Sequence, residues 1–153
     1  MAPEHCVELR PARLTDLPSI LVLLGKAKLP TQGVEAPALA DFIVAEREGT
    51  LVGVAGLEIY RESALLRSVA VEESWRGTGV GRALIDEALE RSKERGIQEV
   101  FLLTTTAEHY FPRFGFICVG RDEVPEAVQC SCEFQGACPS TAVVMRKTVG
   151  AER

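Results

Sequence analysis

Apolar positions recur along this chain with two different periods. Leu17, Ile20, Leu21 and Leu24 fall at helical spacing and mark one face of a helix opened by Thr15 or Asp16. Pro18 sits in its first turn, where no intrahelical hydrogen bond needs the missing N–H. Val7 to Pro11 predicts a preceding strand, Leu29 to Gly33 a loop and Ala38 to Phe42 a short helical turn. The period then shortens. Phe42 to Glu48 and Leu51 to Tyr60 are apolar, β-branched runs parted by Glu48-Gly49-Thr50, a hairpin signal, and Ala64 to Val71 follows after Arg61-Glu62-Ser63. Three such runs with short connections predict an antiparallel meander. Val80, Leu84, Ile85, Ala88 and Leu89 return to helical spacing, with Gly96 as the stop after Arg95. Beyond it, Val100 to Thr104 predicts a strand, Glu108 to Phe114 a short helix, and Phe116 to Gly120 and Thr141 to Lys147 two strands. Asp122 to Pro139 is a long irregular stretch, of a length that in compact domains is usually functional or mobile. The expected fold class is a mixed α/β (α+β) sheet rather than a bundle or a sandwich.

Composition narrows this in three ways. At 153 residues, 46% apolar and 25% charged, the whole chain 1–153 is expected to be one globular domain rather than a disordered tail. The formal net charge of −5 argues against a nucleic-acid or other polyanion binder, while leaving room for a local basic pocket. The longest apolar run, Ile20 to Leu24, is too short to span a bilayer, so no membrane partner is expected. No basic region followed by an apolar stretch opens the chain, and its five cysteines are an odd number. These features exclude a complete disulfide framework and predict a reducing, cytoplasmic setting.

The densest chemistry lies between Leu66 and Arg82. A strand ending Val69-Ala70-Val71 leads through Glu72-Glu73-Ser74-Trp75 into Arg76-Gly77-Thr78-Gly79-Val80-Gly81-Arg82, which opens the long helix. Such a turn gathers N–H groups at a helix N-terminus, where the helix dipole favours a phosphate, and Arg76 and Arg82 add charge. A Walker-type loop needs Lys-Ser or Lys-Thr after its last glycine, and here Gly81 is followed by Arg82-Ala83. A dinucleotide fingerprint needs G-x-G-x-x-G, and Arg82 stands where the third glycine belongs. Both fail. The segment instead resembles the pyrophosphate-binding motif of the GCN5-related N-acetyltransferases, (R/Q)-x-x-G-x-(G/A), carried by Arg76, Gly79 and Gly81. The resemblance extends to Gly115-Phe116 at the end of the predicted short helix.

That resemblance implies a GNAT fold, a twisted, mostly antiparallel sheet of about six to seven strands flanked by helices. It also implies an acetyl-CoA-dependent N-acetyltransferase. The pyrophosphate of acetyl-CoA would lie on the amides from Gly77 through Thr78, Gly79, Val80 and Gly81 to Arg82, with Arg76 beside them. Main-chain groups of the Val69-Ala70-Val71 strand would pair with the pantetheine arm. Many relatives carry a proton-donating Tyr five residues before the Phe of Gly-Phe; here that place is Phe111, which would contact the cofactor. Tyr110 is one residue early, about 100° around a helix. A homodimer is a further implication of the family.

Leu29-Pro30-Thr31, Leu66 to Val71, Leu103 to Glu108 and Cys138 to Val143 are similar to the ArsN-type branch found in arsenic-resistance contexts. The Thr-Thr-Thr-Ala phrase is similar to bacterial N-acetylglutamate synthase domains. These similarities imply an amino group on a small amino acid or amino-acid-like toxicant as acceptor; a peptide N-terminus, an aminoglycoside and a non-catalytic CoA-sensing module are the alternatives. Glu58, a carboxylate in an otherwise apolar strand, is the candidate base, against a solvated strand-end carboxylate. His109 is a second candidate, against a helix-surface histidine. Arg67 interrupts a central strand and could grip a substrate carboxylate, or form a salt bridge to Glu58 or another acidic group. Ser68, Thr104 and Thr105 are candidate substrate contacts, the threonines alternatively capping a helix.

Cys130, Cys132 and Cys138 form C-x-C-x5-C. A closed zinc site needs four ligands, and no histidine follows nearby, so no metal is expected there. Binding of a trivalent thiophilic ion and ordinary partly buried thiols stand as the alternatives. Cys138 lies just before the last strand, where its loop would cover the acceptor.

Overall fold

The computed structural model describes residues 7–137 and 141–150. Seven strands are hydrogen-bonded in the order β1-β2-β3-β4-β5-β7-β6: β1 Glu8–Pro11, β2 Phe42–Arg47, β3 Thr50–Tyr60, β4 Ser63–Val71, β5 Glu99–Thr104, β6 Ile117–Val119 and β7 Val143–Thr148. The helices are α1 Leu17–Lys26, α2 Val80–Glu94 and α3 Glu126–Gln129. The residues group into two compact units, each built from two stretches of chain. The first runs through Gly56 and adds Ser68–Ala88; the second is Leu57–Arg67 with the residues from Leu89.

In the first unit β2 pairs antiparallel with β1 and β3. The β2–β3 hairpin turns at Glu48 and Gly49, both with positive φ of 52° and 83°, the hand that matches strand twist. Ile20, Leu23 and Leu24 of α1 pack with Phe42, Val44 and Val54 into a core. Two glycines in β3 record how tightly it is packed. A Cβ on Gly56 would collide with the Phe42 ring, and one on Gly53 would stand 2.8 Å from Leu84 Cδ1 of α2.

In the second unit the start of β4 pairs parallel with β5, Ser63 with Glu99 to Leu65 with Phe101, and β7 pairs antiparallel with β5 and β6. Leu65, Phe101, Val124, Val128 and Val144 form its core.

Three expectations change here. The stretch after Asp122 is not irregular throughout: Arg121–Glu123 forms a 3-10 turn, α3 follows Pro125, and Glu133–Ala137 forms a wide turn with Gly136 at φ 117°. Four residues are too few to show a helical period, but Val124 and Val128 anchor the segment to the core. The short helix predicted from Glu108 contracts to a 3-10 turn at Phe111–Phe114, where Pro112 supplies no N–H. β6 is only three residues long, because Phe116 turns inward and is 1% exposed.

Candidate active site

The glycine-rich turn lies in the first unit. Glu73–Trp75 forms a 3-10 turn, and α2 starts at Val80. Gly77 and Gly79 adopt φ of 82° and 94°, a backbone that side chains disfavour, and the space a Cβ would take at either is open. Thr78 donates its hydroxyl to the Trp75 carbonyl at 2.5 Å, closing the turn on itself. Arg76 Nε donates to the Val71 carbonyl at 3.4 Å and is otherwise exposed. Val80 is buried at 3% and anchors the helix start, while Arg82 lies on the surface 3.9 Å from Asp86. Gly81 follows inside the first turn, whose leading N–H groups have no intrahelical acceptor. Backbone donors, open space over the glycines and two exposed guanidiniums fit a pyrophosphate.

Upstream, Val69, Ala70 and Val71 finish β4. Ser68, just before them, is buried yet has a φ of 59°. A left-handed residue inside a strand is strained, and it re-aims the backbone groups that follow.

The second unit holds a cluster of charged and hydroxyl groups around Arg67. Its side chain is fully buried and its Nη1 donates to Glu58 Oε2 at 2.8 Å, while Nε lies 3.4 Å from Glu133 Oε2. Glu58 Oε1 accepts from the Tyr60 hydroxyl at 2.6 Å. Burial pushes the Glu58 carboxyl up, but hydrogen bonds from Ser131, Tyr60 and Arg67 outweigh it and hold the group below its ordinary value. Burial first, and then the bond to Glu58, raise the Tyr60 phenol, so it keeps its proton. Glu58 retains 16% side-chain exposure and Glu133 5%. Of the sequence alternatives for Arg67, the structure shows the ion pair to Glu58, with the guanidinium enclosed.

The other expected residues separate from this cluster. Thr104 Oγ1 accepts from the Ala107 and Thr106 N–H groups at 2.9 and 3.3 Å, so it caps the turn after β5. Thr105 beside it is exposed. His109 is 95% exposed, with Glu108 at 3.9 Å, so the site gives that ring no fixed orientation. Phe111 is buried edge-on against Tyr110 and Phe116, completing an aromatic cluster with Phe114. Cys138 lies outside the described residues. Cys118, Cys130 and Cys132 are free and exposed.

Sequence reasoning missed Tyr60, Ser131 and Glu133. Tyr60 carried a usable signal, since strand residues two apart share a face, and it stands two after Glu58. Ser131 and Glu133 carried none: their partners are more than sixty residues away in the chain, and the flanking cysteines are the more conspicuous feature.

The model of the acetyltransferase (GNAT) domain family matches residues 38–118, more than half of the chain. An uncharacterized N-acetyltransferase of Chlorobaculum tepidum is 31% identical, covering 94% of this chain and 97% of that protein. An amino-acid acetyltransferase of Pasteurella multocida is 26% identical over 82% of this chain, which spans only 30% of that longer protein. Among solved structures, Rv2747 of Mycobacterium tuberculosis, crystallised with CoA, superposes with a TM-score of 0.77 at 26% identity, covering 92% of this chain and 98% of that one. The chain belongs to the GNAT acetyltransferase family. It is an acetyl-CoA-dependent N-acetyltransferase. No helix among the described residues is long and apolar enough to cross a membrane.

Proposed function

We propose that the chain transfers acetyl from acetyl-CoA to the amino group of a small amino acid or amino-acid-like toxicant by direct attack in a ternary complex, with Glu58 as the acidic group serving the amine. The observation that carries this reading is the state of Glu58: a carboxylate held ionised by three hydrogen-bond donors, yet still 16% exposed. The amino-acid class rests on the resemblance and on the Pasteurella relative's name.

Acetyl-CoA supplies an activated thioester carbonyl. The backbone donors from Gly77 to Arg82, with Arg76, hold its pyrophosphate, and the end of β4 offers main-chain groups to its pantetheine arm. An amine arrives protonated at neutral pH and attacks only as the free base. The Glu58 carboxylate attracts that ammonium and receives its proton, directly or through one water, and its low affinity for protons passes the proton on to solvent. Tyr60 and Arg67 hold Glu58 in place and keep it ionised. Neither Phe111 nor Tyr60 is suited to protonate the departing thiolate, so that proton comes from solvent. Thr105 and Ser68 remain in the proposal as acceptor contacts; Thr104 is assigned to the turn instead.

Thiol release from acetyl-CoA, followed over a panel including glutamate, phosphinothricin and arsinothricin, tests the reading. Turnover with at least one α-amine is expected. Tight CoA binding with no turnover on any amine would make the chain a sensing module. The reading also places the protein as a homodimer in a reducing compartment, which the free thiols favour; sedimentation velocity checks the assembly.

A further inference from the structure

Beside α1 lies a cavity whose walls belong wholly to the first unit and include no residue of the cluster around Arg67. Its volume is about 490 Å³, within the usual range for small-molecule sites. Pro18, Val22 and Lys26, spaced four apart, form one ridge of α1 along it. Val22 is 56% exposed and lies outside the stripe of Ile20, Leu23 and Leu24 that α1 buries, so core packing does not account for it. Leu51 and the half-buried Trp75 add apolar surface, and the Arg47 guanidinium sits 5.6 Å from the centre of that indole. Two opposite charges complete the lining, Lys26 at the end of α1 and Glu72 just after β4. Among the described residues Lys26 makes no ion pair, although its charge is felt at Glu72. The Ser74 hydroxyl and N–H both donate to Glu72 Oε1, the N–H at 2.8 Å. Those bonds, against a cost of burial and with the charges of Lys26 and Arg76, hold the carboxyl below its ordinary value, so it is ionised at neutral pH.

We propose that this cavity binds the zwitterion of an apolar α-amino acid, its carboxylate on Lys26, its ammonium on Glu72 and its side chain against Val22, Leu51 and the Trp75 ring. A purely anionic molecule would bring a like charge to Glu72, and a purely cationic one a like charge to Lys26. A molecule with both charges and an apolar body satisfies the whole lining. The site also bears on the donor side of the enzyme. Glu72 and Trp75 open the turn whose glycines follow, since the Trp75 N–H donates to the Glu72 carbonyl at 2.8 Å and Thr78 donates its hydroxyl to the Trp75 carbonyl. An occupant held by Glu72 and Trp75 therefore touches the segment that sets the glycine-rich turn, and its affinity and that of CoA should be linked.

Trp75 is the chain's single tryptophan, so its fluorescence reports on this cavity. Titration of the intact protein with L-leucine, L-methionine and L-phenylalanine should give a saturable change for at least one of them. The matching amide, which lacks the carboxylate, and the matching acid without its amino group should each bind about tenfold or more weakly, the scale of one charge-assisted hydrogen bond. Lys26→Met and Glu72→Gln should weaken the amino acid by a similar factor, while Glu58→Gln should leave the titration unchanged. Thermal melting checks folding; Lys26 is exposed and Glu72→Gln keeps an oxygen that accepts from Ser74, so either folded variant decides the question. The proposal is overturned if none of the three amino acids gives a saturable change, if an amide binds as tightly as its amino acid, or if a folded Lys26→Met or Glu72→Gln binds as wild type does. Loss of the signal in Glu58→Gln would return it to the acceptor, and strict competition with CoA would give the cavity to the cofactor; both overturn the proposal. The titration needs no turnover, so its result stands apart from the acetyltransferase reading.

Discussion

The turn from Arg76 to Gly79 holds its chemistry in the backbone, while the cluster around Arg67 holds its chemistry in side chains. At the turn, positive φ at Gly77 and Gly79 and open space above both leave N–H groups presented to whatever approaches. The side chains there are exposed and adjustable. Around Arg67 the guanidinium is enclosed, and Glu58 is fixed by three donors. A pyrophosphate is the same in every reaction of the family, so backbone geometry suffices to hold it, and glycine spacing records that geometry in sequence. An acceptor amine differs from enzyme to enzyme, and its recognition depends on charges assembled from distant parts of the chain. The difference predicts that substitutions in the two regions fail in different ways.

The largest effect is expected at Arg67. Replacement by alanine leaves Glu58 and Glu133 facing each other without the buried cation between them, and removing one member of a buried pair costs about 3–5 kcal/mol. Urea unfolding should show that loss, and acetyl transfer should be abolished. A loss below about 1 kcal/mol would mean the cluster behaves as a surface ion pair, and the contrast with the turn would lapse.

Glu58→Gln tests the proposed base. Its kcat/KM should fall about a hundredfold, within the range for general acid–base groups, with KM for acetyl-CoA unaltered. The pH dependence has a definite sign. Because the folded protein holds Glu58 below the ordinary 4.5 of a glutamate, its stabilising contribution is complete above that value and is lost as pH falls through the lower, folded value. Denaturation measured from neutral to acidic pH should show wild type losing this increment and Glu58→Gln lacking it throughout. A wild-type rate retained by Glu58→Gln across the pH profile would refute the proposed role.

Gly79→Ala is the matching change on the donor side. The new methyl meets no neighbouring atom, so only the left-handed backbone opposes it, at roughly 1–3 kcal/mol. The expected readout is a KM for acetyl-CoA raised about tenfold, equivalent to about 1.4 kcal/mol, with the acceptor KM unchanged. Titration of CoA by calorimetry would check it directly.

How much of this was legible in the sequence follows the same division. The strand order's central elements, the β2–β3 hairpin and α2 all follow from local periodicity and from glycines at positions that need them. The glycine-rich turn is wholly local, ten residues between Val71 and Arg82, and its strand, glycines and helix start could be read there. The cluster around Arg67 is not local. Glu58 and Arg67 stood out as charges in apolar strands, and their pairing was one of two open readings. Glu133 joins them only because Val124 and Val128 dock the preceding segment onto the Leu65–Phe101 core, and no pattern within residues 121–137 announces that docking. Thr104 carried two readings, and the structure shows its hydroxyl capping the next turn.

The smallest effect is expected at His109, and it sharpens the comparison by marking where the acceptor side ends. A general base must be held against the proton it removes, as Glu58 is held by Tyr60 and Arg67. His109 is 95% exposed with the Glu108 carboxylate at 3.9 Å, a contact that water competes with freely. Replacement by alanine removes neither buried surface nor an orienting hydrogen bond, so stability should stay within about 0.5 kcal/mol of wild type. Its kcat/KM should remain within about twofold, on the same 0.5 kcal/mol scale for a surface side chain. The pH–rate profile is the more discriminating measurement. If the imidazole takes no part, His109→Ala leaves the profile unchanged in the range where histidine titrates. A limb near neutral pH that disappears in His109→Ala but survives in Glu58→Gln would move the base from Glu58 to His109, and with it the boundary of the acceptor site.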